Sequence, residues 1–457
     1  MIITEEIYAY QRDLSQCSVA FLEFAKNNPA CIDRANFNPI LLTEKFTYYK
    51  SDPWPTFVSS KRIKEMTDIA IQISDLIKSI IPRFFSFDIQ KISSYFEIPP
   101  DVTKRLLYGV DAEYLKKLLG RGDFVLSANK EFKCLEFNMK SNLGGWQLDI
   151  LEPIYLGMPP TAQFIQEYQP KIIKSHFFSL FFGHILDVII KKNPNAGKPG
   201  GIPEVNMAVA YADQPPSEAV EPLQNAYKEV LKQKYPALKG DLFVCNLSAL
   251  KISGKFLVYK DRKVNTLLEM ANGVIPFLFQ QVVKDGNLSL YNGPVCRFMS
   301  NKFNLSFLWE NQDSPLLSPA EQAVIKKHVP WTRKINAADI PYYYAQREKL
   351  VLKASEGLAG DEVFIGKNTP QAEWEQKVQA AVEKKSWVVQ EYIRSACYLY
   401  QKGANSCLPH HVIWGLFVLG STPAGGFLRM MPEKDIKGVI NAHQGAEVSS
   451  IVEVDES

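Results

Sequence analysis

The 457-residue sequence has no long apolar run, no block of one charge sign and no paired-cysteine motif, and each absence narrows its function. The longest apolar stretch, "FFSLFFGHILDVII" at 177–190, falls short of the ~20 residues that span a bilayer. It also carries His184 and Asp187, so it reads as a core helix, and no membrane partner is expected. Lysine and arginine total 52 against 49 acidic residues, a net charge of +3 spread along the chain. That balance leaves no electrostatic footprint for nucleic acid.

The seven cysteines, Cys17, Cys31, Cys134, Cys245, Cys296, Cys397 and Cys407, are odd in number, and no two stand at C-x-x-C spacing. They read as reduced thiols, which points to the cytoplasm and away from a structural zinc site. The opening "MIITEEIYAYQRDL" lacks the basic and apolar regions of a signal peptide. No Walker pattern G-x-x-x-x-G-K-[ST] occurs, and the six histidines suggest no Ser-His-Asp or Cys-His arrangement. His410 and His411 are adjacent on an expected strand, where they would point to opposite faces and could not easily serve one metal site.

What is present is a chain 46% hydrophobic and long enough for two to four domains or one large divided one. Residues 1 to 115 read as mainly helical: "SSKRIKEMTDIAIQISDLIKSII" sets Ile63, Met66, Ala70, Ile73 and Ile77 at helical spacing, a layer to pack on a core. Beyond 116 the pattern becomes α/β. "DFVLS" and "KCLEFN" flank a turn-like "ANKE" and predict a hairpin. "KKNPNAGKPGGIPE" (191–204) reads as an exposed connection before the strand "VNMAVAYAD", followed by a helix near 217–234 and strands at "LFVCNL" and "KFLVY". In 349–393, "KLVLK" and "EVFIG" enclose a glycine loop. Thr369 then offers an N-cap and Pro370 a first helical position, ahead of an apolar stripe of Trp374, Val378, Ala381 and Val382 and the strand "WVVQEYI".

Two stretches carry chemistry. Lys353 ends a strand facing a loop in which Gly357 and Gly360 let the backbone close over an anion, so the loop could cradle phosphate. Taken alone the signal is weak, because hairpins with glycine between two buried strands are common. Asp123 lies on one strand of the hairpin expected around "ANKE", and the period of two puts Glu136 and Asn138 on one face of the other. Two carboxylates and an amide oxygen are hard ligands suited to magnesium, and a solvated strand face is the alternative.

Together, "KLVLKASEGLAGDEVFIG … WVVQEYI" resembles the nucleotide-binding part of the ATP-grasp superfamily, and "LEFN" resembles its magnesium-binding E-x-N strand. That strand usually follows the lysine loop; here it precedes it, which is similar to the circularly permuted branch typified by glutathionylspermidine synthase. The resemblance covers roughly 115–457 and implies an α/β (α+β) ATP-grasp fold, permuted, with a helical N-terminal layer. It implies a metal and substrate part at 116–300 with an inserted α/β region, a nucleotide-binding part at 301–400, and core strands at 401–457 that complete the ATP site.

Carried over residue by residue, "GRGD" makes Arg121 a stabiliser of the transferring phosphoryl group and Asp123 a magnesium ligand beside Glu136 and Asn138. "SNKFNLSFLWE" makes Lys302 a second phosphate contact with Lys353. Gln390, Glu391 and Tyr392 fall on the hinge strand that meets adenine. "GGFLRMM" brings Arg429 to the phosphates, and Asn441 in "GVINAHQG" lines the same site. Lys140, Asn142 and Trp146 follow the metal strand and are candidates to face the carboxylate substrate. The implied activity is ligation of a small-molecule carboxylate and amine with ATP and Mg2+ through an acyl phosphate. Alternatives are loading of an amino acid onto a carrier-protein thiol, and a non-catalytic nucleotide-binding scaffold. The sequence departs from the glutathionylspermidine synthase pattern in having Lys353-Ala354 where Lys-Pro is usual, in a "GLAGDE" loop with fewer adjacent glycines, and in having no amidase half.

Overall fold

The hairpin expected around "ANKE" forms: strand Leu119–Leu126 pairs antiparallel with Phe132–Asn138. In this computed structural model the described residues are 5–28, 50–52, 54–145, 147–193, 195–196, 204–215, 217–357, 362–403, 406–436, 439–441 and 444–457. The "GRGD" segment shows why glycine alternates there. Arg121 and Asp123 face a cavity, while a Cβ on Gly120 would lie 2.7 Å from the Phe137 ring and one on Gly122 2.3 Å from the Phe124 ring. The glycines make room for aromatic rings on the apolar face, where Phe124 stacks on Phe132 at 4.6 Å.

The hairpin edges an eight-stranded sheet. Its order runs Thr56–Ser59, Glu447–Val454, Thr422–Pro432, Ser406–Leu419, Leu119–Leu126, Phe132–Asn138, with Cys397–Gly403 and Ile172–Ile173 as side pairings. The mainly helical N-terminal region thus contributes an edge strand, Thr56–Ser59, parallel to Glu447–Val454. The helix that follows, Ser60–Ser79, is capped by Ser59, whose side chain accepts from the Arg62 amide. It buries Met66, Ala70, Ile73 and Ile77 in one core with Trp414, Leu416 and Leu428 of the sheet. Each of the Met, Ile and Leu side chains contributes about 1.5–3 kcal/mol on burial.

Among the described residues there are three smaller sheets, one of them the three-stranded meander Lys251–Ser253, Phe256–Tyr259, Arg262–Lys263. Strands Ser289–Tyr291, Thr266–Met270, Met207–Tyr211 and Leu242–Asn246 form a parallel sheet in that order. Helices Phe177–Lys192 and Ser217–Lys234 belong to the same core. The 177–190 stretch is therefore a core helix, and among the described residues no helix is long and apolar enough to cross a membrane. The remaining sheet is antiparallel, ordered Thr332–Lys334, Trp387–Glu391, Leu350–Ala354, Val363–Ile365.

The helix beside that sheet, Gln371–Lys384, buries Trp374, Val378 and Ala381 as the stripe requires. Its start differs from the expectation by one residue. Pro370 occupies the cap position, and the Thr369 hydroxyl donates backward to the Ile365 carbonyl instead of accepting from the first turn. Proline's lack of an N–H lets it stand at the boundary with nothing left unpaired.

Candidate active site

A cavity of about 440 Å3 opens where the large sheet, the antiparallel sheet and the segment around residue 302 meet. A β-bulge prepares its floor: Asp123 pairs with Glu136 but Phe124 with Cys134, so Leu135 is the extra residue. The Leu135 carbonyl accepts from Lys353 Nζ at 3.2 Å, tying the metal-type hairpin to the lysine strand.

Asp123 is almost fully buried and takes two guanidinium groups. Arg121 Nε and Nη2 donate to its two carboxylate oxygens at 2.9 and 3.3 Å, and Arg121 Nη1 donates to the Leu143 carbonyl. Arg429, from the neighbouring strand pair, brings Nη2 to 2.8 Å from Asp123 Oδ2 as an ion pair without hydrogen-bond geometry. Nε and Nη2 of Arg429 are buried donors with no hydrogen-bond partner among the described residues. Asn138 Nδ2 donates to Glu136 Oε1 at 3.1 Å, which turns its amide oxygen away from Glu136.

Two lysines converge on Glu136. Lys302, at the start of helix Phe303–Glu310, holds Nζ 3.6 Å from Glu136 Oε2 and 3.4 Å from the Gly357 carbonyl. Lys353 Nζ donates to Gln390 Oε1 at 2.6 Å, and Gln390 Nε2 donates in turn to Thr332 Oγ1 at 2.9 Å. Burial alone would raise the Glu136 pKa, but the ammonium charges of Lys302 and Lys353 prevail and hold it well below the usual carboxylate range. Burial also pushes the Lys353 ammonium down to about 8, against the pull of Glu136.

Lys140 and Asn142 line the same cavity, where Asn142 Nδ2 donates to Asn272 Oδ1 at 2.6 Å. Asn441 and Gly357 line it as well, while Trp146 and Gly360 lie outside the described residues. Gln390, Glu391 and Tyr392 face a second cavity, of about 330 Å3, that shares Leu135, Lys353, Val363, Ile413, Val439 and Ile440 with the first. Gln390 is buried, Glu391 is exposed, and Lys367 holds its ammonium 4.3 Å from the Tyr392 ring centre. The arrangement is a charged chamber opening onto a second one whose walls mix aliphatic side chains such as Val351 and Ile365 with Lys367, Glu391, Arg394, His411 and Glu433.

The sequence reading did not single out Asn272, Glu362, Lys367 or Ile393, all of which line the two cavities. Lys367 and Ile393 follow strands already recognised and were within reach of a local argument. Asn272 comes from the end of a strand in the parallel sheet, and nothing local marks it.

No protein-family model matches the chain, and no curated protein matches it. Among solved structures, the fold is similar to a glutathione synthetase-like effector from Globodera pallida in its apo form, with a TM-score of 0.56 and 11% identity. The likeness covers 88% of this chain and 89% of that one. D-alanyl-alanine synthetase A from Vibrio cholerae O1 biovar eltor matches at a TM-score of 0.29 and 11% identity over 51% of this chain and 68% of that one, a likeness too slight to argue from. At these identities what is shared with the effector is the fold.

Proposed function

We propose that this chain is an ATP-dependent ligase that joins a small-molecule carboxylate to an amine, on an ATP-grasp fold in circularly permuted order. The observation that carries the reading is the convergence of Lys302 and Lys353 on Glu136, beside the Arg121–Asp123–Arg429 cluster, where the two cavities join. The likeness to a glutathione synthetase-like protein supports it at the level of the fold.

The residues present fit magnesium and a nucleotide. Asp123, Glu136 and Asn138 offer hard oxygen donors, and Arg429, ion-paired with Asp123 through Nη2, keeps a buried Nε donor without a hydrogen-bond partner among the described residues. Bound there by these three residues, magnesium would neutralise charge on phosphate oxygens. Lys302, Lys353 and Arg429 hold and neutralise the phosphates. Gln390, Glu391 and Tyr392 meet the adenine in the second cavity, with Gln390 also fixing the Lys353 ammonium.

Phosphoryl transfer needs positioning and charge neutralisation more than covalent help from the protein. The substrate carboxylate attacks the γ-phosphorus, the bond to the β-phosphate oxygen breaks, and ADP leaves. The amine then attacks the acyl carbon of the acyl phosphate, phosphate departs, and the amine nitrogen loses a proton. Arg121 and Arg429 stabilise charge on the transferring group, and Lys140 and Asn142 face the carboxylate.

The test supplies ATP, magnesium and a panel of carboxylates, with hydroxylamine as the trapping amine. ADP and hydroxamate formed in equal amounts are expected from at least one carboxylate. Folded wild-type protein that binds no nucleotide in calorimetric titration would sink the reading.

A further inference from the structure

A second cluster of donor atoms stands at the second cavity, whose lining includes His411 and Glu433 as well as Lys367. Cys397 and His411 are direct partners across the ladder between strands Cys397–Gly403 and Ser406–Leu419, so their side chains share a face. Glu433 follows the adjacent strand and reaches the same point. His411 Nε2 lies 3.4 Å from Cys397 Sγ and 3.7 Å from Glu433 Oε1, and the three ligand atoms all lie within 4.8 Å of one another.

We propose that Cys397, His411 and Glu433 form a binding site for a zinc-class divalent transition metal, with a fourth coordination position open to the second cavity. The distances suit such an ion. Tetrahedral zinc with sulfur at about 2.3 Å and nitrogen at about 2.1 Å puts those atoms about 3.6 Å apart, and nitrogen and oxygen ligands about 3.4 Å apart. The cluster matches both edges to within a few tenths of an ångström before any ion is bound.

The surroundings prepare the histidine. Ser395 Oγ lies 2.6 Å from His411 Nδ1, and with Nδ1–H donating to that oxygen, Nε2 keeps its lone pair for a metal. His410, next in the chain, turns to the other face, where its Nδ1 lies 2.9 Å from the Leu408 carbonyl and its ring packs against Tyr400. One sulfur, one imidazole and one carboxylate select zinc or cobalt over magnesium or calcium, which prefer oxygen alone.

Binding forms a metal–thiolate bond and releases the Cys397 proton to solvent, leaving thiolate and carboxylate to balance the ion's two charges. Arg394 Nη2, 3.9 Å from Glu433 Oε1 and mostly exposed, is the cation that the ion would displace. Ser395, His411 and Glu433 line the second cavity, so the open position faces whatever occupies it. Cysteine spacing along the sequence gave no hint of this site, because its ligands meet through strand pairing.

The experiment titrates Co2+ alone into full-length protein, without nucleotide, and follows thiolate-to-cobalt charge-transfer absorption. One cobalt per chain is expected, with a band that Zn2+ abolishes and that is absent from Cys397→Ser. Glu433→Gln, at an exposed position that leaves the fold intact, is expected to weaken binding, and Ser395→Ala to weaken it at least about tenfold. A folded wild-type protein with no charge-transfer band overturns the proposal. So does a band that survives in Cys397→Ser, which would assign it to another thiol, or affinity unchanged in Glu433→Gln. None of these readouts depends on ATP, so the site and the ligase reading fail separately.

Discussion

Asp123 and Glu136 stand directly opposite each other across the hairpin ladder, and their ion pairs differ: Asp123 pairs with Arg121 and Arg429, Glu136 with Lys302. Two carboxylates this close would ordinarily compete for one proton. Here Lys302, Lys353 and Arg429 keep Glu136 ionised, so the site is built to hold concentrated charge of both signs in a small volume.

Asp123→Asn leaves two nearly buried guanidinium groups without their shared anion. A loss of stability of about 3 kcal/mol is expected, read as a lower urea midpoint. In calorimetry the same variant should bind ATP more weakly and with less dependence on magnesium. An unchanged midpoint would mean that solvent reaches the cluster.

Lys353 titrates near neutral pH, since burial holds it at about 8 against an ordinary 10.5. Phosphate favours its charged form. ATP binding above pH 8 should therefore take up a proton, and affinity should fall as pH rises through about 8, at most about tenfold per unit. Calorimetry at pH 8.5 in two buffers of different ionisation enthalpy counts the proton. Lys353→Met should abolish activity, keep the fold and remove this pH dependence; an active variant would mean that the lysine does not hold phosphate.

Gly122→Ala forces a Cβ against the Phe124 and Phe137 rings, 2.3 and 2.9 Å away. The strand must shift, at a cost of about 1–3 kcal/mol. Because Arg121 and Asp123 flank the glycine, nucleotide affinity should fall along with the melting temperature. Full affinity in the variant would show that the rings can move instead.

Gln390→Leu deprives both Lys353 and Thr332 of a buried partner. Nucleotide affinity should weaken about tenfold as the ammonium loses its fixed position. Equal affinity in a filter-binding titration would mean that Leu135 alone holds the lysine.

Local patterns were readable wherever one strand or helix carried the information. The period of two in "EFN" put Glu136 and Asn138 on one face, and the 349–393 order of two strands, helix and strand is the order observed among the described residues. The cap of helix Gln371–Lys384 slipped by one residue, because a Thr-Pro pair satisfies the start rules in either alignment. Long-range pairing was beyond reach. Nothing in "TFVS" says that it lies parallel to "IVEV" near the other end of the numbering, and nothing in the spacing of Cys397, His411 and Glu433 says that they meet. Such contacts depend on which strands become neighbours, and a single sequence carries little of that choice.

The parallel pairing of Thr56–Ser59 with Glu447–Val454 also sets a timetable. On a ribosome adding about 5–20 residues per second, the early strand emerges roughly 20 to 80 s before its neighbour exists. Throughout that interval the inner side of helix Ser60–Ser79 has no finished sheet to cover it, so a nascent chain of this protein is a client for whatever shields apolar surface during synthesis. Arg429 and the 119–138 hairpin are likewise united only late, so the site gathers its charges only once strand Thr422–Pro432 has been made, rather than growing with the chain.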